Sequence, residues 1–250
     1  MNFSGISNRT ILGKILRVPL GFIPKEMVLP IIQGPLRGKR WIAGSSNHGC
    51  WLGSYEYNKQ QTFIKTIKPG YVVYDIGANV GFYTLLSSLL VGRNGNVIAF
   101  EPVPRNLIYL KKHIEMNSCS NVMILPYAVS DNAGKAFFDC TNNPSMGHLS
   151  EKGDIEVETV VLDQLIASKQ MPAPDLIKID VEGGEYNVLK GAQQTIAKKR
   201  PIIFLAVHGL ENQKICCEWL RNINYHLEPI ISVPMNICDE IVAIPHLNRT

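Results

Sequence analysis

Short, continuously apolar runs alternate with longer stretches of helical periodicity through the middle of the chain. Residues 71–76, 96–101, 122–126, 176–180 and 202–207 are rich in Val, Ile, Leu, Phe and Tyr and have strand length. Residues 80–90, 104–117, 185–199 and 212–222 lie between and after them and repeat apolar side chains at helical spacing. Strand–helix alternation of this kind predicts an α/β domain, a mostly parallel sheet with helices on both faces. The nearly all-apolar strands fit a sheet covered on both sides. Two late runs, 225–229 and 240–244, predict further strands at the sheet's edge.

Two regions depart from the alternation. Upstream, residues 8–18 predict a helix, and 27–32 and 37–43 predict a hairpin around Gly34-Pro35, with Pro30 marking an edge strand. This divides the chain into an N-terminal extension, 1–50, and a main domain, 51–250. Downstream, 135–139 and 155–161 predict an antiparallel pair enclosing 141–154, rich in Asn, Gly and Ser. A loop this long inside a compact domain is usually functional. It reads as a flap beside a site and carries His148.

The chemistry concentrates where strands end. Asp75-Ile76-Gly77-Ala78-Asn79-Val80-Gly81-Phe82 turns a strand into a helix through two glycines, which permit turn geometry and close approach of a ligand. Glu101 ends the next strand, about 20 residues on, where nucleotide-binding α/β domains place the carboxylate that holds a ribose diol. The dinucleotide fingerprint needs a small residue where Asn79 and Phe82 stand, and Asp75 would repel phosphate. That argues against a nicotinamide-dependent oxidoreductase. It favours an adenosyl ligand bearing an amine and no phosphate, namely S-adenosylmethionine. The expected cofactor contacts are Asp75, Gly77, Asn79, Gly81, Phe82, Glu101, Pro102, Asn106 and Asp180, with Ala128 and Val129 against the adenine.

Residues 178–185, Lys-Ile-Asp-Val-Glu-Gly-Gly-Glu, end a later strand. Asp180 and Glu182 are candidates for the catalytic machinery, and a divalent cation on their oxygens is a further option. Glu185 falls in a first helical turn, where the dipole favours an acid, and reads as a capping residue. His208 follows the strand at 202–207 and is the candidate general base. Candidate acceptor contacts are Tyr55, Glu56, His148 and Lys178. His48, His113, His226 and His246 read as loop or helix-surface residues.

Composition adds boundaries. The 250 residues, 46% apolar and 18% charged, suit one sizeable core. A net charge of +4 without a dense basic stripe argues against a nucleic-acid partner. No run reaches transmembrane length. The mildly basic start suits a helix packed on protein better than one lying on a membrane surface. Six cysteines, none in a C-x-x-C pair, suit free thiols in a cytoplasmic setting rather than zinc. The exposed edge of the hairpin leaves room for a homo-oligomer.

The segments 75–82, Phe100-Glu101-Pro102 with Pro104 and Asn106, 128–131 and 177–185, preceded by Trp51-Leu52-Gly53-Ser54-Tyr55-Glu56, resemble the FkbM-type S-adenosylmethionine-dependent methyltransferases. The resemblance spans residues 51–209. It implies a Rossmann-like class I methyltransferase fold whose last strand inserts antiparallel. It also implies O-methylation of a hydroxyl on a sugar, glycan or secondary metabolite. One departure stands out: Ala206 occupies the position, two before His208, where that family usually carries glutamate. The resemblance therefore leaves two alternatives, an active enzyme and a weakened or inactive methyltransferase-like binding subunit.

Overall fold

A computed structural model describes residues 18–139, 148–150, 153, 155–231 and 233–246. The predicted helix at 8–18 and most of the predicted flap lie outside the described residues.

Seven strands form the main sheet: β3 (Val72–Ile76), β4 (Asn96–Phe100), β5 (Val122–Leu125), β10 (Leu176–Ile179), β11 (Ile202–Ala206), β12 (Tyr225–Pro229) and β13 (Glu240–Pro245). Their order is β12-β13-β11-β10-β3-β4-β5, with β11, β10, β3, β4 and β5 parallel and β13 inserted antiparallel between β11 and β12. This is the α/β architecture predicted from the alternation. Two smaller sheets flank it. The hairpin β1 (Val28–Pro30) and β2 (Arg40–Ile42) pairs antiparallel as expected. The second unites β6 (Ala128–Val129), β7 (Gly134–Asp139), β8 (His148–Ser150) and β9 (Ile155–Val160) in the order β6-β9-β7-β8. The expected pairing of the 135–139 and 155–161 segments is present, and a parallel β6–β9 pair extends it.

Side-chain alternation along the strands sorts the core into two layers. On one face Val73, Val97, Ala99, Leu176 and Phe204 pack with α3 (Phe82–Val91) and with Ile31, Leu36, Trp41 and Trp51 of the extension. On the other, Tyr74, Ile76, Ile98, Phe100, Ile177, Ile179, Ile203 and Leu205 pack under α6 (Glu185–Gly191), α7 (Gln193–Lys199) and α8 (Leu210–Asn222). Residues 28–52 thus share one core with the sheet. Among the described residues no helix is long and apolar enough to cross a membrane.

Three helices escape the sequence pattern: α1 (His48–Leu52), α2 (Tyr57–Thr66) and α5 (Leu162–Ala167). In α2 the buried face carries Lys59 and Gln60 beside Phe63, so polar residues hide the periodicity. The single helix expected at 185–199 is two, broken at Ala192. The cause is a long-range cap: Asp163 of α5 accepts hydrogen bonds from the N–H groups of Gln194 and Thr195 and from the Thr195 hydroxyl, giving α7 its own start.

His113 corrects another expectation. It lies on α4 (Pro104–Met116), is fully buried, and stacks on Trp41 with ring centroids 3.8 Å apart. Its Nε2 accepts the Ile42 N–H at 3.1 Å, and its Nδ1 meets the Val80 carbonyl at 2.7 Å. The ring therefore stitches the extension and the glycine turn to one helix. Burial lowers its pKa from 6.5 to about 4. A base whose folded pKa is depressed stabilises the fold fully above the unfolded value and loses that contribution as pH falls through it. Stability is thus expected to fall by up to about 3 kcal/mol between pH 6.5 and 4 through this group. Urea midpoints measured across that range should fall less steeply in His113→Gln than in the unaltered protein; equal slopes would refute the assignment.

Candidate functional site

The carboxyl ends of β3, β4, β10 and β11 surround a cavity of about 570 Å³, where open parallel sheets place ligands. Its walls include Gly77, Asn79, Phe82, Glu101, Pro102, Asn106, Ala128, Val129, Asp180, Glu182 and His208, together with Tyr55 and Glu56. The structure thus brings most of the sequence-predicted residues to one place.

Two of them stand behind the wall. Asp75 is fully buried, and its oxygens are engaged by Lys178 Nζ at 3.0 Å and the Thr84 hydroxyl at 2.6 Å. It does not line the cavity, so the expected direct cofactor contact is replaced by a strap between β3, β10 and α3. Gly81 is also off the wall. Its φ of +96° is what requires glycine, and a Cβ there would meet Leu110 Cδ1 of α4 at 2.5 Å rather than a ligand. Gly77 lines the cavity, yet its φ of +74° and a hypothetical Cβ 1.8 Å from the Asp180 carbonyl tie it to the neighbouring loop. Lys178, expected at the acceptor, is 3% exposed and is held by Asp75 and by the Gly77 carbonyl at 3.1 Å. It still lines the cavity, with Nζ 3.8 Å from Asp180 Oδ2. The backbone of His148 lies in β8, opposite Asp139.

Glu101 lines the cavity just past the end of β4, one strand from the glycine turn. It is 4% exposed; Oε2 accepts the Asn79 N–H at 2.8 Å, and Oε1 accepts the Val103 N–H at 2.9 Å and Asn106 Nδ2 at 3.3 Å. Burial raises its pKa, opposed by those three donors. Asn106 thus acts on this carboxylate as well as on the cavity wall. Pro102, Val103, Tyr127, Ala128 and Val129 supply the apolar surface beside it.

At the other side of the sheet, His208 Nδ1 lies 2.8 Å from Oε1 of the fully buried Glu185, and Nε2 lies 3.3 Å from Glu182 Oε2. Glu185 also accepts the Gly183 N–H at 2.9 Å and a hydrogen bond from Asn212. Its sequence reading as a cap is therefore incomplete: it fixes the imidazole. The Glu185 hydrogen bond, against opposing burial and with help from Glu182, raises the His208 pKa to about 9.

Between these groups sits Lys59, 3% exposed, with Nζ 2.7 Å from Glu240 Oε1, 3.2 Å from Glu56 Oε2 and 3.7 Å from Asp180 Oδ2. Burial works against the charged Asp180, but Lys178 and Lys59 outweigh it and hold its carboxyl below the usual range. Burial raises Glu240 to about 7 despite Lys59. Ligand atoms of Asp180, Glu182 and His208 lie within 4.8 Å of one another, a set able to receive a divalent cation. The two ammonium groups at 3.7 and 3.8 Å from Asp180 already supply positive charge there.

The sequence reading missed Lys59, Tyr83 and Glu240, and the contribution of Ser45, Ser46 and Asn47 from the extension. Glu240 is the most informative omission. It pairs with Ala206 across the β11–β13 ladder, so a carboxylate from the neighbouring strand stands beside the alanine. Its signal was the acid opening the last apolar run, but register between distant strands is not written locally.

Comparison with known proteins agrees with this geometry. Over 146 residues the chain is 32% identical to the hexuronic acid methyltransferase AglP of Haloferax volcanii, a match covering 58% of this chain and 59% of that protein. It is 29% identical over 153 residues to the 2-O-methyltransferase NoeI of Sinorhizobium fredii, covering 53% and 62%. The chain thus spans about three-fifths of these curated relatives. A crystal structure of methyltransferase FkbM from Methylobacillus flagellatus shares the fold, with a TM-score of 0.52 at 16% identity over 78% of this chain and 52% of that one. The methyltransferase FkbM domain model matches residues 75–231, which contain the glycine turn, Glu101, Asp180 and His208, and the chain belongs to that family.

Proposed function

We propose that this protein is an S-adenosylmethionine-dependent O-methyltransferase acting on a hydroxyl of a sugar, glycan or secondary metabolite. The observation that carries the reading is one cavity joining a buried, N–H-braced Glu101 to a carboxylate-fixed His208. Family membership and two relatives whose names specify methyl transfer, one of them to a 2-O position, support it.

S-adenosylmethionine, when bound, supplies an electrophilic methyl group on a sulfonium. Glu101 retains one lone pair, on Oε2, beyond those used by Asn79, Val103 and Asn106, and it accepts a hydrogen bond from a ribose hydroxyl. Asn79, Phe82, Ala128 and Val129 shape the adenosyl end. Three strand spacings, from β4 across β3 and β10 to β11, separate Glu101 from His208 by roughly 14 Å at ~4.8 Å each, room for a nucleoside and an acceptor in sequence. His208 Nε2, in its neutral form, takes the proton of the acceptor hydroxyl as that oxygen bonds to carbon. Glu185 holds the ring in the tautomer this requires and stabilises the imidazolium that results. Glu240 beside Ala206 keeps a carboxylate in the site, which favours an active enzyme over an inactive binding subunit.

Two results are expected. Calorimetric titration with S-adenosylhomocysteine should show Glu101→Ala weakened by about 100-fold, since a charge-assisted bond to the ribose contributes ~1.5–3 kcal/mol; equal affinities in the two proteins would contradict the ribose contact. A base with a pKa raised to about 9 is mostly protonated at neutral pH, so methyl transfer should accelerate as pH rises from 7 toward 9. Glu185→Gln removes the largest cause of that shift and should move the limb to lower pH. His208→Gln should lose the limb and ~10²–10⁴ in rate. A pH profile identical in all three proteins would remove His208 from the mechanism.

A further inference from the structure

Buried polar side-chain atoms are nearly always hydrogen-bonded, so exceptions point to something. Among the described residues, Trp41 Nε1, Ser87 Oγ and Glu240 Oε2 are buried with neither a hydrogen bond nor an ion pair, while the equally buried Tyr83 Oη and Glu56 Oε2 have only each other and, for Glu56, Lys59. Glu56, Tyr83 and Glu240 all line the cavity, and all three surround Lys59. Tyr83 is 4% exposed, and Lys59 Nζ stands 5.2 Å over its ring. The Lys59 ammonium also reaches Glu240 Oε1 at 2.7 Å and Glu56 Oε2 at 3.2 Å. Two carboxylates and a phenol on the cavity wall therefore converge near Ala206, with the Lys59 ammonium packed behind them.

The charge balance of this lobe is specific. Carboxylates come from Glu56, Asp180, Glu182 and Glu240. Cations come from Lys59, Lys178 and His208, with the buried Asp75 offsetting Lys178, so acids stay in excess. Hydroxyl groups suit such a wall, donating to the carboxylates and accepting from Tyr83. A further carboxylate would meet like charge in a buried setting, where repulsion is poorly screened.

We propose that the lobe lined by Glu56, Tyr83 and Glu240, with Lys59 buried behind them, is the acceptor subsite, and that it takes the hydroxyls of an uncharged sugar ring and rejects a uronate. This rests on the methyl-transfer reading and names its substrate class. It sets the chain apart from the Haloferax relative, whose name specifies a hexuronic acid. Glu240 and Tyr83 bind the ring, while His208 remains the group that takes the proton.

The test is saturation-transfer NMR on the protein loaded with S-adenosylhomocysteine, with methyl glucopyranoside and methyl glucuronopyranoside as matched probes. The neutral glycoside is expected to bind at least about tenfold more tightly than the uronate, an effect the size of one unpaired buried group. Glu240→Gln and Tyr83→Phe should each weaken the neutral probe about tenfold, with S-adenosylhomocysteine affinity unchanged; Glu240→Gln, which removes a partner of the buried Lys59, should also lower the thermal midpoint. The two variants act on separate atoms, so misfolding of one leaves the other informative. No transfer to the neutral probe, or a preference for the uronate, would overturn the proposal. A fall in S-adenosylhomocysteine affinity in both variants would also overturn it, assigning the lobe to the cofactor. Failure of the unaltered protein to bind S-adenosylhomocysteine would instead remove the methyl-transfer reading on which the proposal stands.

Discussion

The buried pair of Asp75 and Lys178 holds the site together. Both side chains are 3% exposed or less, and their 3.0 Å contact crosses from β3 to β10. Lys178 also donates to the Gly77 carbonyl, and Asp75 accepts from Thr84 in α3. One ion pair thus fixes two parallel strands, the glycine turn and the helix that follows it. A buried pair of this kind need not add net stability, but losing one partner leaves an uncompensated charge, at a cost of ~3–5 kcal/mol. The turn that presents Asn79 to Glu101 is consequently rigid before any ligand arrives, which lowers the ordering cost of binding.

From that frame the cavity divides by chemistry. Around Glu101 apolar side chains alternate with Asn79, Arg105 and Asn106 about one braced carboxylate, a mixture suited to a nucleoside. Around Lys59 it is densely charged, with acids in excess of unpaired bases. Lys178 is common to both regions: it neutralises Asp75 on one side and contributes to holding Asp180 ionised on the other. The two ends are therefore electrostatically distinct although a single sheet edge builds both.

Much of this was legible in one dimension. The alternation of apolar runs and helical periodicity gave the sheet, because parallel strands buried on both faces leave few polar positions. Glu101 was legible because the chain must place an acid one strand away from the glycine turn to reach a ribose. His208 was legible from its place after a core strand. Asp75 and Gly81 were misread, since a local motif does not reveal whether its polar or small residues face a ligand or a neighbouring element. His113 was misread for the same reason: its partner, Trp41, comes from a segment more than 70 residues away.

The sequence by itself determined the fold class, the crevice at the strand ends and the place of Glu101 one strand from the glycine turn, because these follow from periodicity and short spacings along one chain. Only the tertiary structure decided that Glu185 fixes His208, that Glu240 stands beside Ala206, and that Lys59 lies buried among carboxylates. Those contacts join segments 23 to 181 residues apart. Strand register and helix docking set them, and both are settled by global packing rather than by any local pattern.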